Sequence, residues 1–180
     1  MREKRGVTRK RFRFGKRQEV LIMRILVLSD SHRDSFSLKE AIDAQPGAKT
    51  VFFLGDGLAE LDSFIPQYPG KTFFSVRGNC DWGSAAQETG LVTVDQTPIL
   101  YTHGHNYHVK YSLYDLKSAA RTAGARVLLY GHTHEPMLAY EDGLYMVNPG
   151  TVSGSRTGKR TYGIVDLTPA GIVTNVLQLR

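Results

Sequence analysis

The chain lacks most of the features that would send it across a membrane or tie it together covalently. Its single cysteine, Cys80, excludes an internal disulfide. No apolar run approaches the roughly 20 residues that a membrane-spanning helix needs, so no membrane partner is expected. The start of the sequence has no apolar signal-peptide core, which makes the cytoplasm the expected location. No internal repeat is long enough for a solenoid. With 180 residues and 41% hydrophobic and 22% charged residues, the composition fits one domain with a substantial core.

An even spread of charge is also missing. The net charge of +6 would favour a nucleic-acid partner, but residues 1–22 alone hold nine Lys or Arg and two Glu. Subtracting these from totals of 23 and 17 leaves 14 basic and 15 acidic residues, or −1, for residues 23–180. Any affinity for nucleic acid or an acidic surface therefore belongs to the tail, which reads as a disordered basic arm. The tail shares a high Arg content with transit peptides but has little Ser and no amphipathic period. Gln18-Glu19-Val20 before Met23 is what a purine-rich ribosome-binding site would encode. The expectation is that the protein starts at Met23 and that 23–180 forms a single domain; native peptides upstream of Met23 would overturn the first part.

What the chain does have is a recurring design. Ile25 to Leu28 is an apolar run of the length of a strand buried on both faces, and Asp30 and His32 follow its end. Val51 to Leu54 leads into Gly55-Asp56-Gly57, and Thr72 to Val76 into Arg77-Gly78-Asn79-Cys80-Asp81. Ile99 to Thr102 ends in His103-Gly104-His105, and Arg126 to Tyr130 in Gly131-His132-Thr133-His134. Five strands each deliver Asp, Asn or His at the carboxyl edge, where ligands collect in open α/β sheets. If the backbone stays extended, residues two apart point the same way, so Asp30 and His32 would project together and His132 and His134 would face one point.

Between these strands the periodicity predicts helices over about 36–45, capped by Asp34-Ser35, over 58–66, and over 111–123. The strand-helix alternation implies a parallel sheet. Leu91–Asp95 and Thr97–Tyr101 read as a hairpin. The last third, with strands at Met137–Tyr140, Leu144–Val147, Tyr162–Leu167 and Ile172–Leu179, suggests antiparallel pairing with one wet face. The fold class expected is α/β (α+β): two packed sheets flanked by helices, with the functional loops at one edge.

All six histidines, His32, His103, His105, His108, His132 and His134, fall in or beside these loops. With Asp30, Asp56 and Asn79 they point to a metal centre. Mixed carboxylate, amide and imidazole donors suit Mn, Fe, Ni or Zn, and there are too many for one tetrahedral zinc. A pair of metals is the simplest use, suited to phosphoryl chemistry. Arg33, Arg77 and His108 are weaker candidates for touching phosphate, and Tyr107, Tyr111 and Tyr114 for lining a pocket or packing the third helix.

The ordered set Asp30-x-His32, Gly55-Asp56, Gly78-Asn79-x-Asp81, His103-Gly-His105 and Gly131-His132-x-His134 resembles the signature of the calcineurin-like metallophosphoesterases, most closely their small prokaryotic phosphodiesterases. The likeness covers residues 24–180, including Asn148-Pro149-Gly150. It implies a two-sheet metallophosphoesterase sandwich and two divalent transition metals, manganese first, with nickel, iron or zinc as alternatives. One metal would be held by Asp30, His32 and His134, the other by Asn79, His103 and His132, with Asp56 bridging. Asp56, Asn79, Asp81 and His105 form the implied catalytic set, Asp81 supporting the ligands from behind and His105 contacting phosphate, donating a proton or serving structure alone. The implied reaction is hydrolysis of a small phosphate ester, a diester before a monoester, by in-line attack of a metal-bridging hydroxide; a homo-oligomer is compatible with it. Many members have His where this chain has Cys80. A thiol with an ordinary pKa near 8.5 is a poor acid for a leaving group, so good leaving groups should suffer least, unless Cys80 is a buried packing residue. The rival from another class is a protein-interaction scaffold of the same fold, because a eukaryotic retromer subunit resembles it too.

Overall fold

A computed structural model describes residues 22–154 and 158–179. The expected basic tail lies outside the described residues except for Ile22.

Two five-stranded sheets are stacked. The first takes β1 (Met23–Leu28), β2 (Thr50–Phe53), β3 (Thr72–Ser75) and, from the C-terminal end of the chain, β9 (Thr161–Thr168) and β10 (Gly171–Gln178) in the order β10-β9-β1-β2-β3. The second takes β4 (Thr89–Val94), β5 (Thr97–Thr102), β6 (Val127–Tyr130), β7 (Met137–Glu141) and β8 (Leu144–Asn148) in the order β4-β5-β6-β8-β7. Helices α1 (Ser35–Asp43) and α2 (Leu58–Phe64) belong to the first sheet, and α3 (Tyr114–Thr122) to the second.

The apolar runs are explained by what lies on each face. Leu26 and Leu28 join Leu38, Ala41 and Ile42 of α1 and Leu58 and Leu61 of α2 in one core. Ile25 and Val27, alternating with them, join Phe52, Tyr101, Val127, Leu129 and Val147 between the sheets. A third core packs Leu100, Leu128 and Met146 against Leu116 and Ala120 of α3. Phe52 marks the centre of the interface, stacked on Phe74 at 5.1 Å and meeting Tyr101 of the other sheet edge-on at 5.0 Å. Its truncation to Ala would cost about 3–5 kcal/mol.

Strands β1, β2 and β3 run parallel, as do β5 and β6. The expected hairpin forms with Asp95 and Gln96 at positive φ (44° and 60°), the turn that matches strand twist. Asp34 caps α1 as expected, accepting from Ser37 N at 2.9 Å. Other boundaries differ. The first helix ends at Asp43, and α2 stops at Phe64 in a short 3-10 turn carrying Pro66. The third begins at Tyr114 rather than 111, because His108 adopts φ 51° and closes a separate turn. The expectation of antiparallel C-terminal strands with one wet face holds only in part. β7 with β8 and β9 with β10 are antiparallel, but β8 lies parallel to β6. β9, between β1 and β10, is buried on both faces along most of its length. No helix among the described residues is long and apolar enough to cross a membrane.

Candidate metal centre

The ends of β1, β2, β3, β5 and β6 meet at one edge, and seven of the nine residues implied for the metal ligands and the catalytic set converge there; Asp81 lies behind them and His105 one ring further out. The convergence is not the work of extended backbone. Asp30, His32, Asp56, His132 and His134 all have positive φ, between 45° and 68°. The expectation that strand alternation aims Asp30 with His32, and His132 with His134, is therefore corrected: left-handed turns aim them. His132 and His134 accordingly face different clusters.

The first cluster is Asp30, His32 and His134. Asp30 Oδ2 accepts from the Ser29 hydroxyl and, at 3.1 Å, from the backbone N–H of His132. Its Oδ1 is buried and accepts no hydrogen bond among the described residues, yet lies 3.1 Å from His134 Nε2 and 3.6 Å from His32 Nε2. The two Nε2 atoms are 3.1 Å apart. The second cluster is Asp56, Asn79, His103 and His132. The Leu54 carbonyl, 2.7 Å from His103 Nδ1, can only accept, so Nδ1 carries a proton, and once the ring gives up its second proton Nε2 presents a lone pair. That lone pair points at Asn79 Oδ1 (3.2 Å), His132 Nδ1 (3.1 Å) and Asp56 Oδ2 (3.4 Å). Asp56 Oδ2 is also 3.9 Å from His32 Nε2, so this carboxylate adjoins both clusters.

Imidazole nitrogens crowded against carboxylate and amide oxygens, with one buried carboxylate oxygen left bare among the described residues, are what a cation would satisfy. The residues fit divalent metals of intermediate softness. The charges respond accordingly. Burial alone would raise the Asp56 pKa, but His103 and the Cys80 amide bring it down to about 2. Asp30 is likewise held well below the carboxylate range, its burial outweighed by His134 and His32. Burial and the charge of His103 push His132 down to about 4.

Asp81 does not enter the clusters. Its Oδ1 accepts from the N–H groups of Gly57 and Leu58, and its Oδ2 from those of Asp56 and Gly78, at 2.8–2.9 Å. It clamps the loop carrying Asp56 to the loop carrying Asn79. Two glycines permit the close approach: a Cβ on Gly78 would lie 2.1 Å from Asp56 Oδ1, and one on Gly131 would lie 2.1 Å from Ser29 Oγ. Cys80 is exposed rather than a buried packing residue, and its N–H holds Asp56 Oδ1 at 2.7 Å. Partial shielding of the exposed residue from water and the adjacent Asp56 carboxylate push the thiol up to about 11. His105 has a buried Nδ1 with no hydrogen-bond partner among the described residues and a ring 5.3 Å from that of His103; burial first, then His103, lowers its pKa.

Among the weaker candidates, Arg33 lines the cleft beside His32, whereas Arg77 is paired with Glu88 and His108 is exposed. Tyr111 and Tyr114 are exposed, and only Tyr107 packs against the α3 core. Two supports had no role legible in the sequence, although Asn148 falls within the Asn148-Pro149-Gly150 of the resemblance. Asn148 donates to the Gly131 carbonyl and Thr133 Oγ1 and accepts from Gly150 N, bracing the loop of His132 and His134. Thr151 donates to the Asp30 carbonyl.

The family model for the calcineurin-like phosphoesterase superfamily domain matches residues 23–169. The chain belongs to the calcineurin-like phosphoesterase superfamily. Its relatives include the probable metallophosphoesterase YsnB of Bacillus subtilis, 30% identical over 81% of this chain and 85% of that protein. Phosphodiesterase MJ0936 of Methanocaldococcus jannaschii is 26% identical over 80% of this chain and 93% of that one. A solved Streptococcus pneumoniae structure described as a predicted phosphoesterase superposes with a TM-score of 0.70 at 28% identity, covering 88% and 99% of the two chains. A shorter match, 40% over 102 residues, covers 56% of this chain and 54% of vacuolar protein sorting-associated protein 29 of Schizosaccharomyces pombe. The superfamily assignment agrees with the two-sheet fold and with the candidate metal ligands.

Proposed function

We propose that the protein is a metal-dependent phosphoesterase that prefers diesters. Two ions would be held by Asp30, His32 and His134 and by Asn79, His103 and His132, with Asp56 shared, and manganese is the first candidate. Bound there, the ions would supply Lewis-acid charge for a phosphoryl group and an activated water for hydrolysis. The observation that carries the reading is the buried, bare Oδ1 of Asp30 set against two imidazole nitrogens, next to a second cluster that shares Asp56.

The chain's own groups divide the remaining work. The Leu54 carbonyl fixes the His103 ring, and the Cys80 N–H and the Asp81 carboxylate hold Asp56 in register. Arg33 stands in the cleft where a phosphate oxygen would meet it. His105, kept neutral by burial and by its neighbour, offers a ring nitrogen to the ester. A thiol at about 11 stays protonated at neutral pH and gives up its proton poorly, which supports a preference for leaving groups that need no acid. The diester preference draws support from the relative named a phosphodiesterase.

The test is hydrolysis of bis(4-nitrophenyl) phosphate by metal-stripped protein with manganese, nickel, zinc or magnesium added back. Turnover returns with a transition metal and is lost in Asp56→Asn. Metal binding without turnover would favour the scaffold reading, which the match to the sorting-associated protein keeps as the alternative.

A further inference from the structure

The cleft holding His32, Asp56 and Cys80 extends well past them, to about 750 Å³, far more than a phosphate group fills. It takes in the first turn of α2, with Glu60 and Asp62, and the turn that follows Asp81, with Trp82. Trp82 is the only tryptophan in the chain, and it is 91% exposed. Leaving so large an apolar ring in water forgoes the stabilisation its burial would bring, so fold stability does not account for its place. The backbone on either side of it is anchored. Asp81 is fixed by four backbone N–H groups, and Ser84 N donates to the Asp81 carbonyl at 3.2 Å. The indole is thus carried on an anchored backbone at the wall of the cleft.

The charge of the surrounding wall restricts what can lie on it. Among the described residues, Arg33 is the one Lys or Arg that lines the cleft with Glu60 and Asp62, beside His32. One oxygen of Glu60 is buried and accepts no hydrogen bond among the described residues. Such a wall repels an arm with its own negative charge and accepts hydrogen bonds from one with amino or hydroxyl groups.

We propose that Trp82 determines specificity for one ester arm: a planar aromatic arm, aryl or nucleobase, without negative charge of its own, stacks on the indole while its phosphate lies at the metal centre. This rests on the phosphodiesterase reading above.

Because Trp82 is the sole tryptophan, the manganese-loaded protein reports the contact directly in its fluorescence, beside calorimetric affinities for inorganic phosphate, methyl phosphate, phenyl phosphate and 4-carboxyphenyl phosphate. Base-on-aromatic stacking predicts that phenyl phosphate binds about 5- to 150-fold tighter than methyl phosphate and changes the tryptophan emission, which methyl phosphate does not. In Trp82→Ala the phenyl-to-methyl ratio falls to about one with methyl phosphate affinity unchanged, and Trp82→Phe keeps most of it. The extra carboxylate of 4-carboxyphenyl phosphate cancels the gain, and Glu60→Gln with Asp62→Asn restores it. Equal binding of phenyl and methyl phosphate, or a ratio untouched by Trp82→Ala, would overturn the stacking. Equal binding of phenyl and 4-carboxyphenyl phosphate would overturn the charge restriction. If inorganic and methyl phosphate both fail to bind, the phosphodiesterase reading itself is what has failed.

Discussion

Asp81→Asn isolates the clamp behind the metal centre from the ligands themselves. The substitution keeps the side-chain shape and one oxygen, so the pair of N–H groups from Gly57 and Leu58 can still be served. The amide nitrogen then meets the N–H groups of Asp56 and Gly78, donor against donor. Hydrogen bonds to a charged acceptor are worth about 1.5–3 kcal/mol each, and the two lost here share one carboxylate and do not add fully. Partial solvent access at the cleft reduces the sum, leaving a loss of about 3 kcal/mol. For a chain of this size that corresponds to a fall in Tm of about 6–12 °C. Urea and thermal unfolding of metal-free protein measure it without the complication of lost metal, with an unchanged m-value as the sign that the folded state keeps its compactness. Because the same oxygen positions the Asp56 amide, manganese affinity should fall about 10-fold or more in parallel. A loss under 1 kcal/mol with normal metal affinity would show that Asp81 is a solvated loop carboxylate and that the clamp does not set the geometry.

Gly78→Ala should be worse than any polar change nearby, since its Cβ would sit 2.1 Å from Asp56 Oδ1 and 2.6 Å from Asp56 N; metal titration should show the shared carboxylate displaced, with affinity down at least about 100-fold. Cys80→His should raise turnover on diesters with poor alkyl leaving groups about 10-fold or more, and change aryl esters far less, because imidazole is a workable acid near neutrality and a thiol at about 11 is not; equal effects on both ester classes would contradict this. The stability of metal-free protein should peak near pH 6.5. Burial opposes protonation of His103, but Asp56 and Asp30 raise its pKa, as Asp30 chiefly does for His32. Their contribution is complete below about pH 6.5 and is lost as pH rises through the folded values. His132, lowered to about 4, acts in the opposite sense, with stability present above about 6.5 and lost as pH falls toward 4. Asp56 adds a further loss between about pH 4 and 2. A Tm that climbs steadily from pH 5 to 9 would refute the assignment.

The strand runs and the residues at their ends were legible because both leave local marks. A strand buried on both faces must be apolar throughout, and its polar residues can begin only where it leaves the core. The aim of those residues was not legible. That Asp30, His32, Asp56, His132 and His134 adopt left-handed backbone depends on contacts across the sheets, such as His132 N on Asp30 Oδ2, that no local pattern records. For the same reason the division of His132 and His134 between two clusters does not follow from their spacing. Asp81 could be placed beside the site by its motif, but its four backbone partners come from two loops brought together by folding. The placement of β8 between β6 and β7 is likewise a tertiary outcome: its alternation fits an antiparallel pair equally well, and only the wider sheet adds the parallel neighbour. Trp82 carried no signal at all, since exposure is invisible in the residue itself.

The proposed function requires that the two clusters each hold a metal ion and share Asp56. Anomalous diffraction from crystals of the manganese-loaded protein tests it most directly. The account predicts two peaks per chain, one among Asp30, His32 and His134 and one among Asn79, His103 and His132, with Asp56 in contact with both. A single peak, or peaks away from these residues at saturating manganese, would contradict it.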